Sequence, residues 1–121
     1  MIDFLKQVFQ CQRQKRVLRS RLLGLTQDIR NQMDGPLTKM SMRVLRDSLE
    51  SLMKCLFEWD ECYYKRKVYL SMRDFRESIE VSMLGKNIGM VMIDMMSDKF
   101  FRLSDDSEVI GDILKKVEMI V

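Results

Sequence analysis

Residues 42–63 form the stretch MRVLRDSLESLMKCLFEWDECY, which has the most regular apolar pattern in the chain. Its large apolar side chains recur in alternating steps of three and four residues. They are Met42, Leu45, Leu49, Leu52, Leu56, Trp59 and Tyr63. This spacing puts all of them on one stripe of an α-helix, a pattern typical of helices that pack against other helices. It predicts a long helix over residues 36–70, with Trp59 as a large core side chain.

The preceding segment predicts a second long helix over residues 2–33. Its apolar residues have a similar spacing and would form one narrow stripe. They are Phe4, Val8, Cys11, Leu18, Leu22, Leu25 and Ile29. The run Asp34-Gly35-Pro36 ends this helix, and Pro36 suits the first position of the next one because that position needs no N–H donor. We therefore expect the two helices to form an antiparallel pair.

Shorter helices are expected from residue 72 onward. Residues 71–74 have the spacing of a capping box, which predicts a helix start, and Gly85 would end the helix that follows. Its inner face would consist of Phe75, Ile79 and Met83. These helices would close the core that the two long helices leave open.

The last third of the chain contains two more helical patterns. Residues 88–101 are apolar on nearly all sides, which is typical of a helix in the middle of a domain or at an interface. A final helix would direct inward Val109, Ile113, Val117 and Ile120. No segment shows the alternation of a β-strand, so the predicted fold class is all-α. The length predicts a single helical domain over residues 1–121.

The composition argues against an enzyme and against a metal site. The chain has no histidine, which removes the commonest general base and the usual partner of a serine or cysteine nucleophile. Cys11, Cys55 and Cys62 form no Cys-x-x-Cys pair, so neither a zinc site nor any other cofactor is expected. No export signal or membrane-spanning stretch is visible. We expect a reducing compartment, cytoplasmic with nuclear or membrane-peripheral location as alternatives.

The positive charge is concentrated at one end. Residues 1–46 contain ten Lys and Arg and three Asp, a net charge of +7, whereas residues 47–121 have a net charge of −4. Five basic residues crowd into nine positions, Arg13, Lys15, Arg16, Arg19 and Arg21. Their mutual repulsion would be relieved by an anionic partner, so this cluster is the predicted partner-binding face. The alternative is a solvated face of a core helix.

The partner of this basic face is expected to be a host or viral protein or an anionic membrane surface. Residues 2–23 also contain Phe4, Leu5, Val8 and Phe9, which are apolar enough to insert at the edge of a bilayer. Nucleic acid is a less favoured partner, because few aromatic residues alternate with the basic ones for base stacking.

A second, apolar contact surface is predicted from the methionines. The chain contains twelve, and such flexible side chains suit a groove for a partner helix as well as a core. The candidate residues are Trp59, Met92, Met95 and Met96. Because a chain of this size has a small core, we also expect a homo-oligomer such as a dimer.

Alanine is absent, proline occurs once and threonine twice. Alanine is the best helix former, so a helical chain without it is unusual. The codons of these three amino acids share cytosine at the second base. A second reading frame over the same nucleotides would impose such a constraint, and overlapping frames are common in compact viral genomes. The alternative is an accident of composition.

The opening Met1-Ile2-Asp3-Phe4-Leu5-Lys6 resembles the start of paramyxovirus C proteins. Arg13-Gln14-Lys15 and Gly35-Pro36-Leu37 are similar to tripeptides of the Sendai-type C protein. The resemblance implies a small helical viral accessory protein read from an overlapping frame. Such a protein would antagonise interferon signalling or regulate the viral polymerase through protein contacts. It assigns no binding residues.

The overlapping-frame hypothesis predicts a property of the gene. We expect the nucleotides that encode this chain to contain a long open frame, offset or opposite to the one translated here. Sequencing the gene and translating all frames measures this directly. Stop codons scattered through every other frame would contradict the hypothesis.

Overall fold

The computed structural model describes residues 2–35, 38–64, 72–96 and 103–121. These residues form four α-helices with short flanking segments and contain no β-strand. The helices are α1 (Ile2–Asp34), α2 (Lys39–Tyr64), α3 (Met72–Met96) and α4 (Leu103–Ile120). The predicted all-α class is therefore confirmed.

Each helix packs against two neighbours, so the four helices surround one core. α2 packs against α1 and α3, and α4 packs against α3 and α1. Contacts between α1 and α2 occur in reversed order along the chain. Gln32 donates to Ser48 at 3.0 Å, whereas Arg21, earlier in α1, lies 3.9 Å from Glu58, later in α2. Residues late in α1 thus contact residues early in α2.

The core consists of one apolar stripe from each helix. In α2 the buried residues include Leu45, Leu49, Leu52, Leu56 and Trp59, as the spacing predicted. In α1 they include Val8, Cys11, Leu18, Leu22 and Ile29. Phe4, which was also predicted for this stripe, is instead exposed one turn before the first buried residue of α1. In α4 Ile113 and Val117 are buried, but Val109 is exposed.

The start of α2 differs from the prediction. The helix begins at Lys39 rather than at residue 36, because Thr38 caps it. The Ser41 N–H donates to Thr38 Oγ1 at 3.2 Å, and the Thr38 N–H donates to Ser41 Oγ at 2.6 Å. This is a capping box in which serine replaces the usual Glu or Gln. Pro36 lies outside the described residues, as do residues 65–70 at the predicted end of this helix.

The prediction that Gly85 ends a helix is wrong, since α3 continues through it to Met96. Gly85 instead lies where α2 and α3 approach each other closely. A Cβ at this position would be 2.6 Å from Cε1 and 2.9 Å from Cζ of Phe57. The Phe57 ring can pack onto the backbone of α3 only because residue 85 has no side chain. This packing outweighs the low helix propensity of glycine.

The inner face of α3 also differs from the prediction. Phe75, Ile79 and Met83 are exposed. The residues that α3 contributes to the core are Val81, Leu84, Ile88 and Val91. α3 is apolar on two sides. The neighbouring helices bury the side that contains Ile88, whereas the sequence pattern predicted burial of the side that contains Ile79.

The close approach at Gly85 can be tested by comparing how alanine at Gly85 and alanine at Gly24 change the stability of the protein. Gly24→Ala, which meets nothing within 4 Å, should stabilise the protein by about 0.5–1 kcal/mol through helix propensity. Gly85→Ala should gain less or be destabilising, because the Phe57 ring must shift. In a Phe57→Ala background, Gly85→Ala should again stabilise. Urea denaturation measures all three differences in the free energy of unfolding. Equal gains at both glycines in the wild-type protein would contradict the proposed packing.

Candidate protein-contact surfaces

Three helices meet at a cluster of Lys15, Trp59 and Glu77, which come from α1, α2 and α3. Lys15 Nζ lies 2.7 Å from Glu77 Oε1, and Trp59 Nε1 donates to the same oxygen at 2.6 Å. The Lys15 ammonium also lies 4.4 Å from the centre of the Trp59 ring, within range of a cation–π interaction. Glu77 is thus the shared acceptor of a cation and an indole N–H.

This cluster is mostly withdrawn from water. The Lys15 and Glu77 side chains are 14% and 22% exposed, and Trp59 is 6% exposed. Lys15 was predicted as part of the partner-binding basic face, and that prediction requires correction because its charge is turned inward and paired. Trp59 is also one of the predicted apolar contact residues, but the structure places it in the core.

The remaining basic residues of the cluster lie at the surface. Arg13, Arg16 and Arg19 are exposed. Arg21 is exposed too, but it leans towards α2, where Glu58 lies 3.9 Å away. The five residues therefore divide into one internal charge, one arginine at the α1–α2 boundary and three arginines open to a partner.

Apolar side chains share the exposed side of α1 with these arginines. At about 100° per residue, Leu5, Phe9, Arg13 and Arg16 fall within a sector of roughly 80°. This sector lies nearly opposite the buried Leu18 and Leu22. Arg19 borders it. We call Leu5, Phe9, Arg13, Arg16 and Arg19 the outer face of α1.

The predicted methionine surface is only partly placed by the structure. Met92 and Met95 are half-buried and pack against the core, which leaves little of either side chain for a partner. Met96 is at the last position of α3, and its side chain lies outside the described residues.

The exposed apolar residues of α3 are others, and sequence reasoning did not identify them as a surface. They are Phe75, Ile79, Met83, Met90 and Ile93. We call these five residues the outer strip of α3. Their helical spacing is visible in the sequence. For Phe75, Ile79 and Met83, however, that spacing predicts an inner face.

A groove of about 610 Å³ opens between α3 and α4 beside this strip. Its walls combine apolar side chains such as Met83, Leu84 and Ile120 with the charged Arg76, Glu80 and Lys116. Both signs of charge are present, so the groove has no net preference for an anion or a cation.

The described residues offer little for chemistry. Cys11 and Cys55 are buried in the core. No group of Cys, Asp or Glu within residues 2–35, 38–64, 72–96 and 103–121 is arranged to hold a metal ion. Among these same residues, no helix combines the length and apolarity needed to cross a membrane.

Comparison with known proteins found no match: no family model fits the sequence, and neither a curated protein nor a solved structure is similar to the chain. We therefore infer the function from the exposed residues of the outer face of α1 and the outer strip of α3.

The Lys15–Trp59–Glu77 cluster should contribute strongly to stability. Glu77→Gln keeps an acceptor for Trp59 but removes the carboxylate that pairs with the mostly buried Lys15 ammonium, so we expect a loss of about 2–3 kcal/mol. Glu50→Gln is the matched control, because it removes an exposed i,i+4 pair with Lys54 (3.2 Å) and should cost less than about 0.5 kcal/mol. Urea unfolding compares the two. Similar small losses would show that the buried pair is unimportant.

Proposed function

We propose that this protein is a non-enzymatic accessory protein that binds another protein through the outer face of α1. One observation carries the proposal: Arg13, Arg16 and Arg19 are exposed, and the exposed Phe9 lies one turn before Arg13. The core of the bundle is built from the opposite side of α1. The outer face can therefore engage a partner without disturbing the buried stripe.

The chemistry of this face fits an acidic protein surface. Arginine has a planar group with donors arranged to grip a carboxylate at two points, which a lysine ammonium cannot do. Arginine and aromatic residues are also enriched at the energetic centres of protein interfaces. Three arginines beside Leu5 and Phe9 thus combine carboxylate recognition with apolar contact area.

The viral role is part of the same proposal. The lack of alanine supports an overlapping reading frame, and the opening residues resemble paramyxovirus C proteins. The accessory activity we propose is antagonism of host innate immunity, with regulation of the viral polymerase as the alternative. Both activities work by occupying a surface of another protein, so both need an exposed contact face and no catalytic residue.

The proposal predicts that binding can be removed without unfolding. Arg13→Gln/Arg16→Gln/Arg19→Gln should keep the melting temperature within a few degrees, because exposed charges contribute little to stability. The triple variant should weaken binding to a purified acidic partner at least roughly tenfold, which is about 1.4 kcal/mol. The matched control removes the same amount of positive charge from exposed positions on other helices and should bind the partner normally. It is Arg43→Gln/Lys54→Gln/Lys115→Gln.

Candidate partners come from affinity capture that compares wild type with the two triple variants. Only a protein lost from the α1 variant, and then shown to bind the purified chain directly, supports the proposal. The competing probes are phosphatidylserine-containing vesicles and a single-stranded oligonucleotide. Binding to either probe that is tighter than protein binding, and lost in the α1 variant, would overturn the proposal in favour of lipid or nucleic acid.

A further inference from the structure

The outer strip of α3 consists of exposed apolar side chains along one side of a single helix. Its five side chains are between 45% and 66% exposed. It extends from Phe75 to Ile93, which at 1.5 Å per residue is about 27 Å. From Ile79 onward its positions follow steps of four and three residues if the exposed Lys86 is counted. This is the spacing of a helix that packs along a second helix.

The strip is nearly symmetric about its own midpoint. When a second, antiparallel copy of α3 is laid along it, residues at equal distances from the midpoint face each other. Phe75 then faces Ile93, Ile79 faces Met90, and Met83 faces Lys86 of the other copy. In the last pair the lysine methylene groups can cover the methionine while the ammonium reaches water. A surface that matches itself after reversal is the requirement for a two-fold interface.

Charges beside the strip follow this symmetry to within one residue. Arg76 and Asp94 lie at the same angle around α3, since they are 18 residues, or about five full turns, apart. Their midpoint is residue 85, within one residue of the midpoints of the apolar pairs. In the antiparallel arrangement Arg76 of each copy therefore lies opposite Asp94 of the other, which forms two equivalent ion pairs. A parallel arrangement would separate Arg76 from Asp94 of the other copy by about 27 Å along the helices, so neither ion pair could form.

We propose that two copies of this chain associate antiparallel through the outer strip of α3. The footprint of one helix is small beside the roughly 800 Å² per partner of a stable interface, so we expect dissociation in the micromolar range. α1 and α3 are not neighbours in the bundle, since each packs against α2 and α4. The dimer therefore leaves both outer faces of α1 accessible, and this inference does not depend on the proposed function.

Sedimentation of the full chain tests the proposal, from low concentration up to about 500 µM, well above the expected dissociation constant. Wild type should change from monomer to dimer. Ile79→Glu/Met90→Glu should stay monomeric, because it places four carboxylates in the apolar contact. Met40→Glu/Val44→Glu adds the same charge to exposed apolar positions of α2 and should dimerise like wild type. A wild type that is monomeric throughout, or equal loss in both variants, would overturn the proposal.

The charge pair tests the antiparallel arrangement and does not depend on the glutamate variants folding. Arg76→Glu and Asp94→Arg should each weaken the dimer about tenfold, since each converts two attractive contacts into repulsive ones. The double variant Arg76→Glu/Asp94→Arg exchanges the charges and should restore the wild-type dissociation constant. Additive weakening in the double variant would overturn the antiparallel pairing.

Discussion

The apolar stripe of α2 is the constraint on which the rest of the bundle depends. α2 lies between α1 and α3, and its leucines from Leu45 to Leu56 are fully buried against them. Burying one leucine contributes about 1.5–3 kcal/mol, so four leucines supply a free energy of the same order as the whole net stability of a small domain. α1 and α3 pack against α2 because they cover this stripe, and α4 covers the apolar residues that α1 and α3 leave open.

Polar groups near the end of that stripe then determine where α1 and α3 lie relative to α2. Trp59 carries an N–H that needs an acceptor when the ring is buried, and Glu77 of α3 provides it. The buried carboxylate in turn needs a cation, which Lys15 of α1 supplies. One indole thus connects three helices through a single carboxylate. Interactions of this kind are specific in direction, whereas leucine packing alone would tolerate rotation of a helix.

The sides of α1 and α3 that face away from the core carry the residues on which the two proposals rest. α1 leaves arginines and Phe9 exposed, and α3 leaves a strip of large apolar residues exposed. Since these helices are not neighbours, the two surfaces belong to different sides of the bundle. The proposed partner contact and the proposed dimer contact therefore use different helices.

The amino-acid sequence by itself determined the all-α class and the buried stripes of α1 and α2. In both helices a regularly spaced apolar series lies on one stripe, and the charged residues crowd the remaining surface, so burying the stripe fixes the orientation of the helix. It did not determine the orientation of α3, because that helix has an apolar strip around Ile79 and another around Ile88. Nor could it show that Lys15 is internal while Arg16, the next residue, is exposed. Tertiary packing decided both, since burial depends on which neighbours a side chain meets and whether a buried charge finds its counter-ion.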